Sequence, residues 1–169
     1  AGFAVFQAYT RPEAIYDTGR TEVSLPVFTD EEIPVLGPSE APEELTLLFD
    51  FQCIHCRRLH RILPELLAQA GGQYRIRLCP VPLSSACNPY IPLTGIDRFA
   101  ESCPLTRYAL AVWYSRPEAY EAYWEHLLGD GDDHATVDPA DAEARARTLL
   151  GDGFDAAVAD PRIDAYLRK

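Results

Sequence analysis

Leu45-Thr46-Leu47-Leu48-Phe49-Asp50 is a near-continuous apolar run of strand length, the pattern of a central strand covered on both faces. The period then changes. Leu59, Ile62, Leu63, Leu66 and Leu67 recur at spacings of three and four, which predicts a helix from about Ile54 to Ala70, ended by Gly71-Gly72. Tyr74-Arg75-Ile76-Arg77-Leu78 alternates and predicts a second strand. A Pro-rich connection covers 80–92, and a helical block follows. Ser102 with Pro104, Arg116 with Pro117, Asp138 with Pro139 and Asp160 with Pro161 all read as helix starts with Pro in the first turn. Tyr120, Trp124, Leu127 and Leu128 form one apolar stripe, and Ala142, Ala146, Leu149 and Leu150 form another. Trp113 and Trp124 read as core residues of this block.

Upstream, residues 10–44 are rich in Pro, Glu and Asp, with one strand-like run, Glu22-Val23-Ser24-Leu25-Pro26-Val27-Phe28, and an extended lead-in from Ile33 to Pro38. The order of elements is α/β with a helical insertion over about 93–169. It divides the chain into an N-terminal arm with an edge strand, 1–32, and one domain, 33–169. The opening run from Ala1 to Tyr9 lacks an initiator Met and a signal-peptide charge pattern, so the chain reads as a mature or excised segment.

Composition narrows the partners. The 169 residues suffice for one domain, of which roughly 70% of the unfolded surface can be buried. Fifteen Lys and Arg against twenty-six Asp and Glu leave a net charge of −11, which argues against nucleic acid or an anionic membrane surface as the main partner. No apolar run reaches the about 18 residues that a membrane-spanning helix needs. Neither a Gly-rich phosphate loop nor G-x-S-x-G is present, so nucleotide chemistry and serine hydrolysis are unsupported.

The candidate chemistry lies at the strand-to-helix junction. Cys53-Ile54-His55-Cys56 places two sulfurs within the first helical turn, close enough to form a disulfide. Cys53 falls at the helix N-terminus, where unsatisfied N–H groups and the dipole favour a thiolate. His55, when protonated, adds positive charge beside that sulfur, and Arg57, Arg58, His60 and Arg61 make this the one concentrated basic stretch of an acidic protein. Each effect stabilises the reduced pair, so its disulfide would be a better oxidant. Zinc is the rival use of C-x-x-C, but no second C-x-x-C or H-x-x-x-H supplies further ligands. A structural pair of cysteines is the other rival.

The stretch from Leu47 to Arg57, with an apolar strand, an aromatic-rich turn and C-x-H-C opening a helix, resembles the thioredoxin-fold disulfide oxidases of the DsbA-like group. Pro82-Leu83, Cys87-Asn88, Cys103 and the Ala-rich helix after it extend the likeness over about 33–169. The chain is similar to thioredoxin-like domains linked to vitamin K epoxide reductase-type membrane proteins. That resemblance implies a thioredoxin-like fold, protein thiol and disulfide substrates, no cofactor, an extracytoplasmic or periplasmic location and a membrane redox partner. It puts the nucleophile on Cys53, the resolving thiol on Cys56 and tuning on His55. Two departures stand out. The buried acid that some thioredoxin-fold enzymes carry six residues before the first cysteine is Leu47 here, with Asp50 only near that place. The C-terminal cis-Pro loop and hairpin of the group have no counterpart in the sequence, so the chain reads as a domain lacking them. The competing class is a non-catalytic binding module that uses the same fold to dock a partner protein.

Three cysteines remain. A Cys87–Cys103 bridge would staple the Pro-rich connection to the helical block, as a structural disulfide or as a second relay pair. Cys79 ends an apolar strand and reads as a buried thiol, with pairing to Cys87 as the alternative. Asp130-Gly131-Asp132-Asp133 resembles a calcium loop but lacks the downstream Glu, so a solvated interhelix loop is expected. His126 and His134 have no partner recognisable from spacing.

Overall fold

The computed structural model describes residues 28–92, 99–129 and 137–169. The elements are β1 (Val35–Leu36), β2 (Glu43–Phe49), α1 (Ile54–Gln69), β3 (Tyr74–Pro80), α2 (Ser102–Ser115), α3 (Tyr120–Leu128), α4 (Pro139–Leu150), α5 (Phe154–Val158) and α6 (Pro161–Arg168). The strand-like run at 22–28 and the loop at 130–134 lie almost wholly or wholly outside the described residues.

Two strands joined by α1 form a parallel crossover unit, β2 against β3, in register from Glu43 opposite Tyr74 to Phe49 opposite Pro80. β1 pairs antiparallel with β3 on its other side, so the sheet order is β1-β3-β2. Gly37 turns the chain out of β1 at φ +94°. A Cβ there would stand 2.7 Å from the Tyr74 carbonyl oxygen, a close approach only glycine permits.

This order corrects one expectation. The Leu45–Asp50 run was expected to be central and covered on both faces, yet β3 holds the centre. β2 lies at the edge among the described residues, with Leu45 50% and Leu48 62% exposed. An apolar run reports strand propensity but not lateral position. α1 needs a similar correction. Its buried residues are Arg57, His60 and Leu63, while Ile62 and Leu66 of the expected apolar stripe are exposed.

Side chains leave β3 toward two cores. Ile76 and Leu78 join Phe49, Phe51, Leu63 of α1, and Trp124, Leu127 and Leu128 of α3. Cys79 joins Ile33, Leu110 and Ala111 of α2, and Ile163 and Tyr166 of α6. α2 is buried nearly all round because it serves both cores: Leu105, Ala109 and Val112 face the first, Leu110 and Ala111 the second. The expected helix starts at Asp138 and Asp160 are real N-caps, whose carboxylates accept from Ala140 N–H at 2.9 Å and Arg162 N–H at 2.8 Å. The start at Arg116-Pro117 opens a single 3₁₀ turn, Pro117–Ala119, before α3. Ala142 and Ala146 pack inward as expected. Trp124 is buried, and Trp113 is half-buried with its Nε1–H on the Glu31 carbonyl at 3.1 Å. No helix among the described residues is long and apolar enough to cross a membrane.

Candidate active site at the head of α1

The chain leaves β2 at Phe49, turns through Asp50-Phe51-Gln52 and enters α1 with Cys53 as N-cap. The turn is closed by Cys53 N–H donating to the Asp50 carbonyl at 3.1 Å. Phe51 plugs the core edge-on to Phe49, with ring centroids 5.1 Å apart, which fixes where the turn sits. No side chain caps the start of α1 and no acidic residue lies in its first turn. The N-terminal end of the dipole is therefore left to the two sulfurs and to Asp50.

Cys53 and Cys56 are both free thiols and half-buried. Burial above all pushes the Cys56 thiol up to about 11. The neighbouring Cys53 sulfur and the Asp50 charge act in the same direction, and the Asp50 main-chain N–H on the sulfur opposes them. His55 stands exposed between the two cysteines. Arg57 is buried at 5% exposure, and its Nε–H donates to the Leu128 carbonyl at 3.2 Å, which ties α1 to the end of α3. The basic stretch is therefore divided: Arg57 is an internal strut, and Arg58 and Arg61 lie on the exposed face. His60, one turn below Cys56, is buried edge-on against Trp124 at 4.2 Å, and burial lowers its proton affinity.

The Pro-rich connection and the head of α2 close over the junction. Asp50 is 2% exposed, and its two carboxylate oxygens accept from Gln52 N–H at 2.6 Å and Leu83 N–H at 2.7 Å. Burial raises the Asp50 carboxyl above its ordinary range, and these donors pull it back down. Gln52 extends in the other direction, its Oε1 accepting from Glu101 N–H at 3.0 Å and from the Ser102 hydroxyl at 3.2 Å. Cys87 and Cys103 form a disulfide with Cα atoms 5.9 Å apart, joining the loop that carries Leu83 to the helix that carries Ser102.

The structure thus brings Cys53, His55 and Cys56 to one helix start and pairs Cys87 with Cys103. Cys79 is a third free thiol, 2% exposed, its sulfur 3.2 Å from the Tyr166 hydroxyl. No cluster of three His, Cys, Asp or Glu gathers among the described residues, and His126 stands 3.1 Å from the Asp141 carboxylate. Sequence reasoning missed Gln52, Leu83 and Ser102. The available signal was the pair of polar residues, Asp50 and Gln52, in an otherwise apolar approach to Cys53.

No protein-family model and no curated protein matches the sequence. Solved structures do match the fold. Proteus mirabilis ScsC in a compact conformation aligns with 82% of this chain at 18% identity and a TM-score of 0.55. A thioredoxin-like oxidoreductase from Silicibacter pomeroyi aligns with 83% at 21% identity and a TM-score of 0.57. The chain has a thioredoxin-like fold. A periplasmic thioredoxin-like protein from Salmonella enterica serovar Typhimurium aligns with 83% of it at 20% identity and a TM-score of 0.53. The chain spans 57% of the Proteus protein's length, 74% of the Silicibacter protein's and 72% of the Salmonella protein's.

Proposed function

We propose that the protein is a thiol–disulfide oxidoreductase that exchanges disulfides with protein substrates through Cys53 and Cys56. The observation that carries this reading is the placement of a half-exposed C-x-x-C pair at an uncapped helix start in a thioredoxin-like fold. Cys53 is the attacked and attacking sulfur, and Cys56, one turn in and held as a thiol by burial, resolves the mixed disulfide. His55, exposed beside both, tunes the pair. The Cys87–Cys103 bridge and the periplasmic Salmonella neighbour support an extracytoplasmic location. A membrane-bound redox partner would reoxidise or reduce the pair there.

Thiol trapping across glutathione buffers, with mass mapping of the cysteines, tests the reading. Cys53 and Cys56 are expected to cycle together while Cys87–Cys103 stays oxidised, and Cys53→Ser is expected to abolish exchange. Exchange that survives Cys53→Ser refutes the proposal. A pair that never cycles points instead to a non-catalytic binding module.

A further inference from the structure

The outer edge of β1 borders a groove that the thiol site does not use. β1 pairs with β3 on one side only. Leu78 N–H donates to the Pro34 carbonyl at 2.8 Å, so in the antiparallel alternation Pro34 and Leu36 turn their main chain to β3 and Val35 turns its N–H and C=O outward. Neither group of Val35 has a partner among the described residues. Val35 lines a groove of about 400 Å³, together with Leu63 and Leu67 of α1 and Glu121, Trp124 and Glu125 of α3. Three polar demands are unmet there. The Val35 main chain is open. The indole N–H of Trp124, a residue 3% exposed, has no acceptor among the described residues. Glu121 and Glu125 are exposed, one helical turn apart, and neither forms an ion pair among the described residues. Like charges at that spacing cost helix stability, and nothing in the fold offsets the cost.

We propose that this groove docks an extended segment of a partner protein, added as a strand to the outer edge of β1, with an apolar and a basic side chain two positions apart. Strand addition gives the Val35 N–H an acceptor and its C=O a donor. Alternate side chains of an extended segment fall on one face of the sheet. Leu36, beside Val35, packs into the core shared with α1 and α3, so that face is the one the groove borders. One inward side chain of the segment buries against Leu63, Leu67 and Trp124. The next inward side chain reaches the Glu121 and Glu125 carboxylates, and only a cation is welcome there. A second copy of this chain is a poor occupant, because its net charge of −11 meets two more carboxylates. Leu63 lies ten residues beyond Cys53 along α1, about 15 Å at the helical rise, so a docked segment leaves both sulfurs uncovered. The groove is a holding site beside the thiol pair, and it stands whether or not that pair exchanges disulfides.

The probe is a capped peptide, Leu-Thr-Arg-Thr-Leu-Thr-Arg, which puts Leu and Arg alternately on one face of a strand. Its counterpart carries Glu in place of Arg. With the full chain, the Arg peptide is expected to bind and to slow amide exchange at Val35, and the Glu peptide is expected to do neither. Replacing both Glu121→Gln and Glu125→Gln is expected to weaken binding about tenfold, the effect of two exposed ion pairs. Asp152→Asn removes one exposed charge outside the groove and is expected to change binding by less than about twofold. Alkylation of Cys53 is expected to proceed at an unchanged rate under saturating Arg peptide. No binding of that peptide up to about 1 mM overturns the proposal. Binding that leaves Val35 exchange unchanged overturns strand addition. A Val35 amide already protected in the free chain overturns it as well, because residues 1–27 or a second copy then cover the edge. A loss per charge as large for Asp152→Asn as for the Glu121 and Glu125 pair shows diffuse attraction to an acidic protein and no site. Blocked alkylation of Cys53 moves the peptide to the thiols and overturns the placement.

Discussion

The head of α1 and the helical block α2–α6 are built on different principles. The block is held by apolar packing. Leu105, Ala109, Leu110, Val112, Tyr123, Leu127, Ala142, Ala146 and Ile163 are each fully buried. The α1 junction is held by hydrogen bonds between segments far apart in the chain: Leu83 to Asp50 across 33 residues, Glu101 to Gln52 across 49, Ser102 to Gln52 across 50 and Arg57 to Leu128 across 71. Packing is non-directional and tolerates changes that preserve volume. Hydrogen bonds fix position and charge, and a buried group that loses its partner bears the full desolvation cost. Stability therefore resides mainly in the block, and control of the sulfurs resides in the junction.

The largest effect that separates the two is a cavity in the block. Leu127→Ala removes a fully buried side chain of α3 and is expected to cost about 2–5 kcal/mol of stability. The redox equilibrium of Cys53 and Cys56 in the folded variant is expected to stay within about twofold of wild type, since Leu127 supplies no charge or hydrogen bond to the junction. Denaturant unfolding and glutathione titration measure the two quantities side by side. A large redox shift without unfolding would show that the regions are not separable.

Next comes the bridge between them. Replacing Cys87 and Cys103 together by Ser releases a link across a sequence separation of 16, worth about 3 kcal/mol by loop-closure entropy. Unlike Leu127→Ala, this change also frees the loop that holds Leu83 N–H on Asp50. Amide exchange at Leu83 is expected to quicken more than exchange in α3. Equal quickening in both would mean the bridge stabilises the chain globally and does not clamp the junction.

Smaller still is the loss of one acceptor. Gln52→Ala removes the oxygen that receives Glu101 N–H and the Ser102 hydroxyl, and the expected cost is about 1–3 kcal/mol. The head of α2 has no side-chain cap of its own, so Gln52 serves as its cap from another element. Hydrogen exchange confined to the first turn of α2 checks this assignment; uniform exchange along α2 contradicts it.

The contrast also explains what the sequence disclosed. The helix starts at Asp138-Pro139 and Asp160-Pro161, the Cys53–Cys56 spacing and the inward Ala142 and Ala146 depend on neighbours within one or two turns, and all of them were legible. Lateral strand order was not. The Leu45–Phe49 run has the composition of a central strand, and only the pairing of β1 with β3 places it at an edge. The burial of Arg57 was hidden for the same reason, because its acceptor on Leu128 belongs to a helix brought in by tertiary packing. Asp50 could be seen beside the cysteines, but not the Leu83 N–H that the distant loop brings to its carboxylate.

Acid should draw the smallest and most telling difference. The folded-state carboxyl of Asp50 lies above its ordinary range because burial disfavours the anion. Its contribution to stability is therefore largest when it is protonated, and it is lost as pH rises through the raised value. Asp160, at the head of α6, lies below its ordinary range because Arg162 bonds it, with Nη2 on Oδ2 at 2.6 Å. Its contribution is present above the ordinary carboxylate range and is lost as pH falls through the depressed value. Asp50→Asn and Asp160→Asn each remove one of these protonation equilibria, and Asn keeps an N-cap acceptor at position 160. Between about pH 3 and 6, the stability of wild type relative to Asp50→Asn is expected to grow as pH falls, and relative to Asp160→Asn to shrink. Urea midpoints across that range give both differences. Slopes of the same sign would mean that burial does not govern Asp50, and that the junction carboxylate behaves like the one on the surface of the helical block.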